Sequence, residues 1–243
     1  MTPDAFRHPA AAPHEPLRTF HPRRVGLSQV RRDALRRLFP ELGFSVHDDG
    51  APFPRTADGT LDAAALFGRA APLVLEIGPG MGEATVALAA ADPGRDVLAV
   101  EAHLPGVANL LKLLDETGLT NVRVGHGDAL ELVRRAIAPG TLAEVRAFFP
   151  DPWPKARHHK RRLVQPAHVA LLRSRLAVGG VLHTATDWPD YAEQMLAVLS
   201  SDPGLENTAD GYASVVVRPQ TAFERKAQVE GRAARDLVFR RVR

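Results

Sequence analysis

The chain has 243 residues, a formal net charge of +3, 45% hydrophobic and 24% charged residues, and no cysteine. That length fits one domain with an appended arm, and the balance is that of a globular protein. The missing cysteines exclude disulfides, thiol nucleophiles and zinc–thiolate sites, and no run of eighteen apolar residues offers a membrane span.

Residues 1–22 are rich in Pro, Ala and His, which predicts a flexible arm; they hold no apolar core that would read as a signal peptide. His8, His14 and His21 are scattered through that arm and do not read as metal ligands. A helix is predicted over Ser28–Leu38, ended by Pro40, and a short one over Leu61–Gly68, so 23–70 forms a helical extension. From Leu73 short apolar runs alternate with helical stretches. Strands are predicted at 73–78, 96–101, 121–128, 144–150 and 180–187, and helices near Glu83–Ala91, Pro105–Thr117, Ala129–Ala138, Gln165–Ala177 and Pro189–Ser200. Such alternation implies an α/β domain over 71–243 with a mostly parallel sheet. The tail breaks the rhythm with an extended LENT (205–208), a helical segment near Thr221–Arg232 and a strand near Asp236–Val242.

The first strand runs into Glu76-Ile-Gly78-Pro-Gly80-Met-Gly82 and opens a helix at Glu83. Glycines there let the backbone approach a ligand closely. The third glycine comes one residue too early for the dinucleotide pattern, and an acid at the helix start opposes a pyrophosphate. A cofactor with a positive centre and no phosphate fits better, and S-adenosylmethionine has those properties. Glu101 ends the second strand, where a carboxylate can accept ribose hydroxyls; Asp128 ends the third, placed for the adenine edge. With Asp151, acids stand at four successive strand ends, the edge at which open α/β sheets bind ligands.

Asp151 sits in FFPDPWP, where prolines at 150, 152 and 154 restrict the backbone around it. Trp153 reads equally well as a stacking platform for a base or as a core plug. A basic run follows at once: Lys155–Arg162 carries five Lys and Arg with His158 and His159. Together with Arg18–Arg37 and Arg225–Arg243 it holds 19 of the 31 Lys and Arg residues, the footprint of a phosphate-binding surface; the bland alternative is a set of solvated faces.

In order, EIGPGMGE, VEAH, GDA, DPWPKARHHKRR, TATD (184–187) and TAFERK (221–226) resemble the motifs of the bacterial tRNA (guanine-N7-)-methyltransferase family over Leu73–Arg243. The resemblance implies a class I S-adenosylmethionine-dependent methyltransferase, Rossmann-like, with a seven-stranded sheet whose C-terminal strand is antiparallel. It implies methylation of guanine N7 at position 46 of the tRNA variable loop, with tRNA as partner, in the cytoplasm. No membrane or metal is expected, and the protein would be a monomer or a homodimer. Carried over residue by residue, Glu76, Gly78, Gly80, Glu101, Asp128 and Asp151 would contact the cofactor, with Asp151 also the catalytic residue. Lys155, Asp187, Thr221, Ala222, Phe223 and Glu224 would hold the substrate. Arg157, His158, His159, Lys160, Arg161 and Arg162 would touch RNA. Two rivals stay open at this point: another nucleic-acid amino methyltransferase, acting on adenine or on rRNA, and an RNA-binding chaperone with a decayed cofactor pocket.

Overall fold

A computed structural model describes residues 18–20, 26–47, 52–214, 218–219, 224 and 228–243. Eight strands form one sheet: β1 (Gly43–Ser45), β2 (Leu73–Ile77), β3 (Asp96–Glu101), β4 (Val122–His126), β5 (Leu142–Phe148), β6 (Leu176–Thr186), β7 (Leu205–Asn207) and β8 (Arg235–Arg241). Their order is β1-β4-β3-β2-β5-β6-β8-β7, parallel except for β8, which runs antiparallel to both β6 and β7. The helices are α1 (Gln29–Leu42), α2 (Ala63–Phe67), α3 (Glu83–Ala91), α4 (Leu104–Thr117), α5 (Ala129–Ala136), α6 (Pro166–Arg175) and α7 (Pro189–Ser201).

Successive residues of β3 point to opposite faces, and both faces are covered. Val97 and Ala99 pack with Leu35, Leu38, Val107 and Leu111 from α1 and α4. Leu98 and Val100 belong to the opposite core with Leu130, Val133, Leu172 and Met195 from α5, α6 and α7. The sheet is therefore buried between two helical layers, as parallel strands require. The chain winds outward from β2 through β3 to β4, then restarts at β5 on the other side of β2. That reversal leaves a crevice at the carboxyl ends of β2 and β5, where the site is built.

Two expectations are corrected. Pro40 lies inside α1, which continues to Leu42. A proline in the final turn removes one bond near the frayed end, and the anchoring of Leu35, Leu38 and Phe39 in the core outweighs it. The sheet has eight strands rather than seven, because β1 from the N-terminal extension pairs in parallel with β4 through Gly43–Val124 and Ser45–His126. A three-residue strand that follows α1 without a loop gives no periodic signal. The antiparallel C-terminal strand is present as expected. Half of the predicted helix near Thr221–Arg232 lies outside the described residues. No helix among the described residues is long and apolar enough to cross a membrane.

Candidate active site

The loop from β2 to α3 turns on three glycines in the left-handed region, Gly78 (φ 70°), Gly80 (φ 62°) and Gly82 (φ 87°). This is a conformation that side chains resist. Gly106 on α4 permits the close approach that completes the loop: a Cβ there would lie 2.3 Å from the Gly80 carbonyl oxygen and 2.9 Å from Glu101 Cγ. Asn109, one turn further along α4, donates from Nδ2 to the Met81 carbonyl at 2.6 Å and accepts from Arg31 Nε at 3.1 Å. The basic helix α1 is thereby tied to the loop.

Around this loop a cavity of about 420 Å³ opens, walled by Glu76, Gly78, Gly80, Glu101, Asp128, Asp151 and Asp187. Glu76 and Glu101 are almost fully buried. Burial pushes each carboxyl up to about 7; nearby Thr85 and Arg146 oppose this more weakly at Glu76, and hydrogen bonds from the His103 and Gly80 amides oppose it at Glu101. Glu101 accepts from Gly80 N at 2.9 Å and His103 N at 2.8 Å, one bond to each oxygen. Glu76 Oε2 has no hydrogen-bond partner among the described residues. A buried carboxylate oxygen without a donor is costly, and a bound donor would relieve it. Asp128 caps α5 by accepting from Leu130 N at 2.8 Å.

Among the described residues lining the cavity, seven are carboxylates (Glu76, Glu83, Glu101, Asp128, Asp151, Asp187 and Glu230), against Arg232 alone of Lys and Arg. This balance suits a ligand with an ammonium and a sulfonium and repels a pyrophosphate. S-adenosylmethionine fits these residues: Glu76 offers a free acceptor, Glu101 retains lone pairs for ribose hydroxyls, and Asp128 stands at the next strand end.

Asp151 follows β5 in a constrained loop. Phe149 (φ 52°) and Trp153 (φ 45°), two residues to either side, are the only described non-glycine residues with positive φ. Bulky side chains avoid this region at a cost of about 1–3 kcal/mol each, so the surrounding structure must hold them there. Trp153 is buried rather than offered to a base, which settles it as a plug. Its Nε1 donates to the Thr19 carbonyl at 3.1 Å, and Arg161 stacks 4.9 Å from its ring centroid. Thr19 and Phe20 also line the cavity, so a piece of the N-terminal arm reaches it.

The basic run forms a 3-10 turn over Ala156–Arg161. Lys155, Arg157 and Lys160 are exposed, and His158, His159 and Arg161 are half-buried. Arg162 is the exception. It is fully buried, so its guanidinium does not face solvent as the expected RNA contact requires. The chain enters the core at Leu163 and Val164 directly after it. Nothing in the spacing of a continuous basic run marks its last member as internal.

Sequence reasoning also missed two ion-pair systems. Arg232 pairs with Asp187 at 2.7 Å at the cavity wall. Arg218 bonds Asp236 through Nε and a terminal nitrogen, both at 2.7 Å, and Glu224 at 2.5 Å, so the Glu of the TAFE segment is anchored to the sheet. Thr221, Ala222 and Phe223 lie outside the described residues. The dense charge in the tail was the available signal, but partners so far apart in sequence leave no spacing to read.

A family model described as "Putative methyltransferase" matches residues 70–237. The chain is 49% identical over 229 residues to the tRNA (guanine-N(7)-)-methyltransferase of Streptomyces coelicolor, covering 93% of this chain and 81% of that protein. It is 50% identical over 240 residues to the protein of the same name from Bordetella pertussis, covering 96% and 91%. Among solved structures, the 16S rRNA methyltransferase KamB superposes with a TM-score of 0.54 at 15% identity, over 78% of this chain and 98% of that one. That last likeness concerns the fold, which is the Rossmann-like fold of class I S-adenosylmethionine-dependent methyltransferases.

Proposed function

The chain belongs to the tRNA (guanine-N(7)-)-methyltransferase family, and from that premise we propose that it methylates guanine N7 in tRNA, at position 46 of the variable loop. The observation that carries this reading is the carboxylate-walled cavity with a basic turn beside its Asp151 loop. The cavity suits a cationic nucleoside, and the turn suits a polyanion.

Bound S-adenosylmethionine supplies an electrophilic methyl group. Glu76 receives its amino end, Glu101 its ribose hydroxyls, and Asp128 its adenine edge, with Gly78 and Gly80 allowing close backbone approach. Guanine N7 carries a lone pair and no proton, so the protein need not provide a general base. Its contribution is alignment and a dry, preorganised pocket. Asp151 is the residue closest to the chemistry: it orients the base or the cofactor's amino end and favours the positive charge that develops on the purine. Asp187 accepts from the guanine N1–H and N2–H donors, which adenine does not present in that arrangement. Lys155 and the Thr221–Glu224 segment hold the nucleotide, and Arg157, His158, His159, Lys160 and Arg161 take the backbone. The enzyme acts in the cytoplasm, where its substrate resides.

Paired tRNA transcripts differing only at position 46 test the assignment. Transfer to the guanine-46 transcript and none to the adenine-46 transcript supports it; equal transfer to both places the target elsewhere.

A further inference from the structure

The buried guanidinium of Arg162 is a hub between the Asp151 loop and α7. Its Nε donates to the Pro152 carbonyl at 2.8 Å, and its terminal nitrogens reach Asp190 Oδ2 at 2.5 Å and the Gln194 amide oxygen. A ring nitrogen of His159 lies 3.0 Å away. The guanidinium carbon, Cζ, lies over the Tyr191 ring, 4.7 Å from its centre. Gln194 also donates to the Val164 carbonyl at 3.2 Å, and Val164 N donates to the Tyr191 hydroxyl at 3.1 Å, so α7 grips the chain on both sides of Leu163. Arg162 lowers the Asp190 carboxyl below its ordinary range through this hydrogen bond.

Pro152 is the residue between Asp151 and Trp153, whose backbone is held in the left-handed region. A proline carbonyl has no strand partner in such a turn. Fixing it from a guanidinium packed against α7 fixes the Pro152–Trp153 peptide plane, and the ring-locked φ of Pro152 passes that constraint back to Asp151. The geometry points to Arg162 as a positioning residue that sets Asp151 in place from beneath, while its neighbours in the basic run face the substrate. Only a planar fork with donors in several directions serves all these acceptors at once; an ammonium does not. This inference rests on the proposed methyl transfer, in which Asp151 stands at the reacting centre.

The test compares Arg162→Met and Arg162→Lys with Arg161→Ala and wild type, at temperatures where thermal scans show each folded. Single-turnover methyl transfer should fall about 100-fold in Arg162→Met, the scale of an ångström-sized displacement of a reacting group. The tRNA KM and its dependence on salt should stay within about twofold. Arg162→Lys should recover little. Arg161→Ala should show the opposite split, a raised KM and a shallower salt dependence with the transfer step kept.

A second readout does not depend on activity. In a Trp188→Phe background Trp153 is the sole tryptophan. Arg162→Met should shift its emission to the red and increase quenching by acrylamide. Wild-type transfer rates in both Arg162 variants, with unshifted Trp153 emission, overturn the positioning role. A raised tRNA KM and flattened salt dependence in Arg162→Met overturn it in favour of an RNA contact. Absence of transfer by wild type overturns the function reading, and the Trp153 emission then decides alone whether Arg162 braces the loop.

Discussion

Arg232 closes on Asp187 at the wall of the cavity, its Nε donating to Oδ2 at 2.7 Å. The pair raises the guanidinium above its ordinary range and holds the carboxylate against the end of β6. Asp187 thus lines the cavity already oriented, and in the proposed function its other oxygen would receive the base. Asp187→Asn should lower kcat/KM for tRNA about 100-fold, the loss of a charged hydrogen-bond acceptor worth about 2–3 kcal/mol. Arg232→Met should lower it by a smaller factor, because the acceptor remains and only its orientation is lost. Steady-state kinetics on the two variants check the order.

Glu76 and Glu101 make cofactor binding depend on pH. Burial raises both carboxyls from 4.5 to about 7, so the fold favours their protonated forms. Their contribution to stability therefore declines as pH rises from about 4.5 to about 7 and is flat above. A cationic ligand needs the ionised forms. Its affinity should rise between pH 6 and 8 by about tenfold for each group that must ionise, with proton release on binding near neutrality. Calorimetry in buffers of different ionisation enthalpy measures both. Glu76→Gln should bind cofactor more weakly and with less pH dependence, yet melt at a higher temperature than wild type at pH 8.

Gly106 is a steric requirement of the cofactor loop. In Gly106→Ala the new methyl would meet the Gly80 carbonyl oxygen at 2.3 Å, so either α4 or the loop must move. Overpacking of this kind costs about 1–3 kcal/mol. The cofactor Kd should rise at least tenfold in a protein that still folds, as read by titration with S-adenosylhomocysteine and by a thermal scan.

Arg157 and Lys160 are exposed on the 3-10 turn. Removing either should weaken tRNA binding and reduce the slope of log affinity against log salt by about one, leaving the transfer step intact. Filter binding across a salt series separates this from a folding defect, which would not change the slope alone.

Much of the fold was legible because β2 to β5 are short apolar runs between turn residues, and the sequence displays the glycines at which α3 begins (Gly82) and α4 ends (Gly118). β1 was not legible, since Gly43–Ser45 is ordered by its register with β4 and not by its own pattern. Pro40 misled because a local rule about helix interiors was applied to a final turn held by Phe39. Four of the seven acids that line the cavity, Glu76, Glu101, Asp128 and Asp151, were readable from strand ends alone. What holds Asp151 was not readable. Arg162 looks like its basic neighbours in sequence, and only the packing of Tyr191, Gln194 and Asp190 against it shows that it points inward. Arg218 and Arg232 were hidden likewise, because their partners Asp236, Glu224 and Asp187 are set by the sheet and not by spacing.

The central claim is tested most directly by incubating the full-length protein with labelled S-adenosylmethionine and unmodified tRNA, digesting the product and identifying the labelled nucleoside. The expected product is 7-methylguanosine, with one methyl group per tRNA. Label in any other nucleoside, or none across several tRNAs, contradicts it.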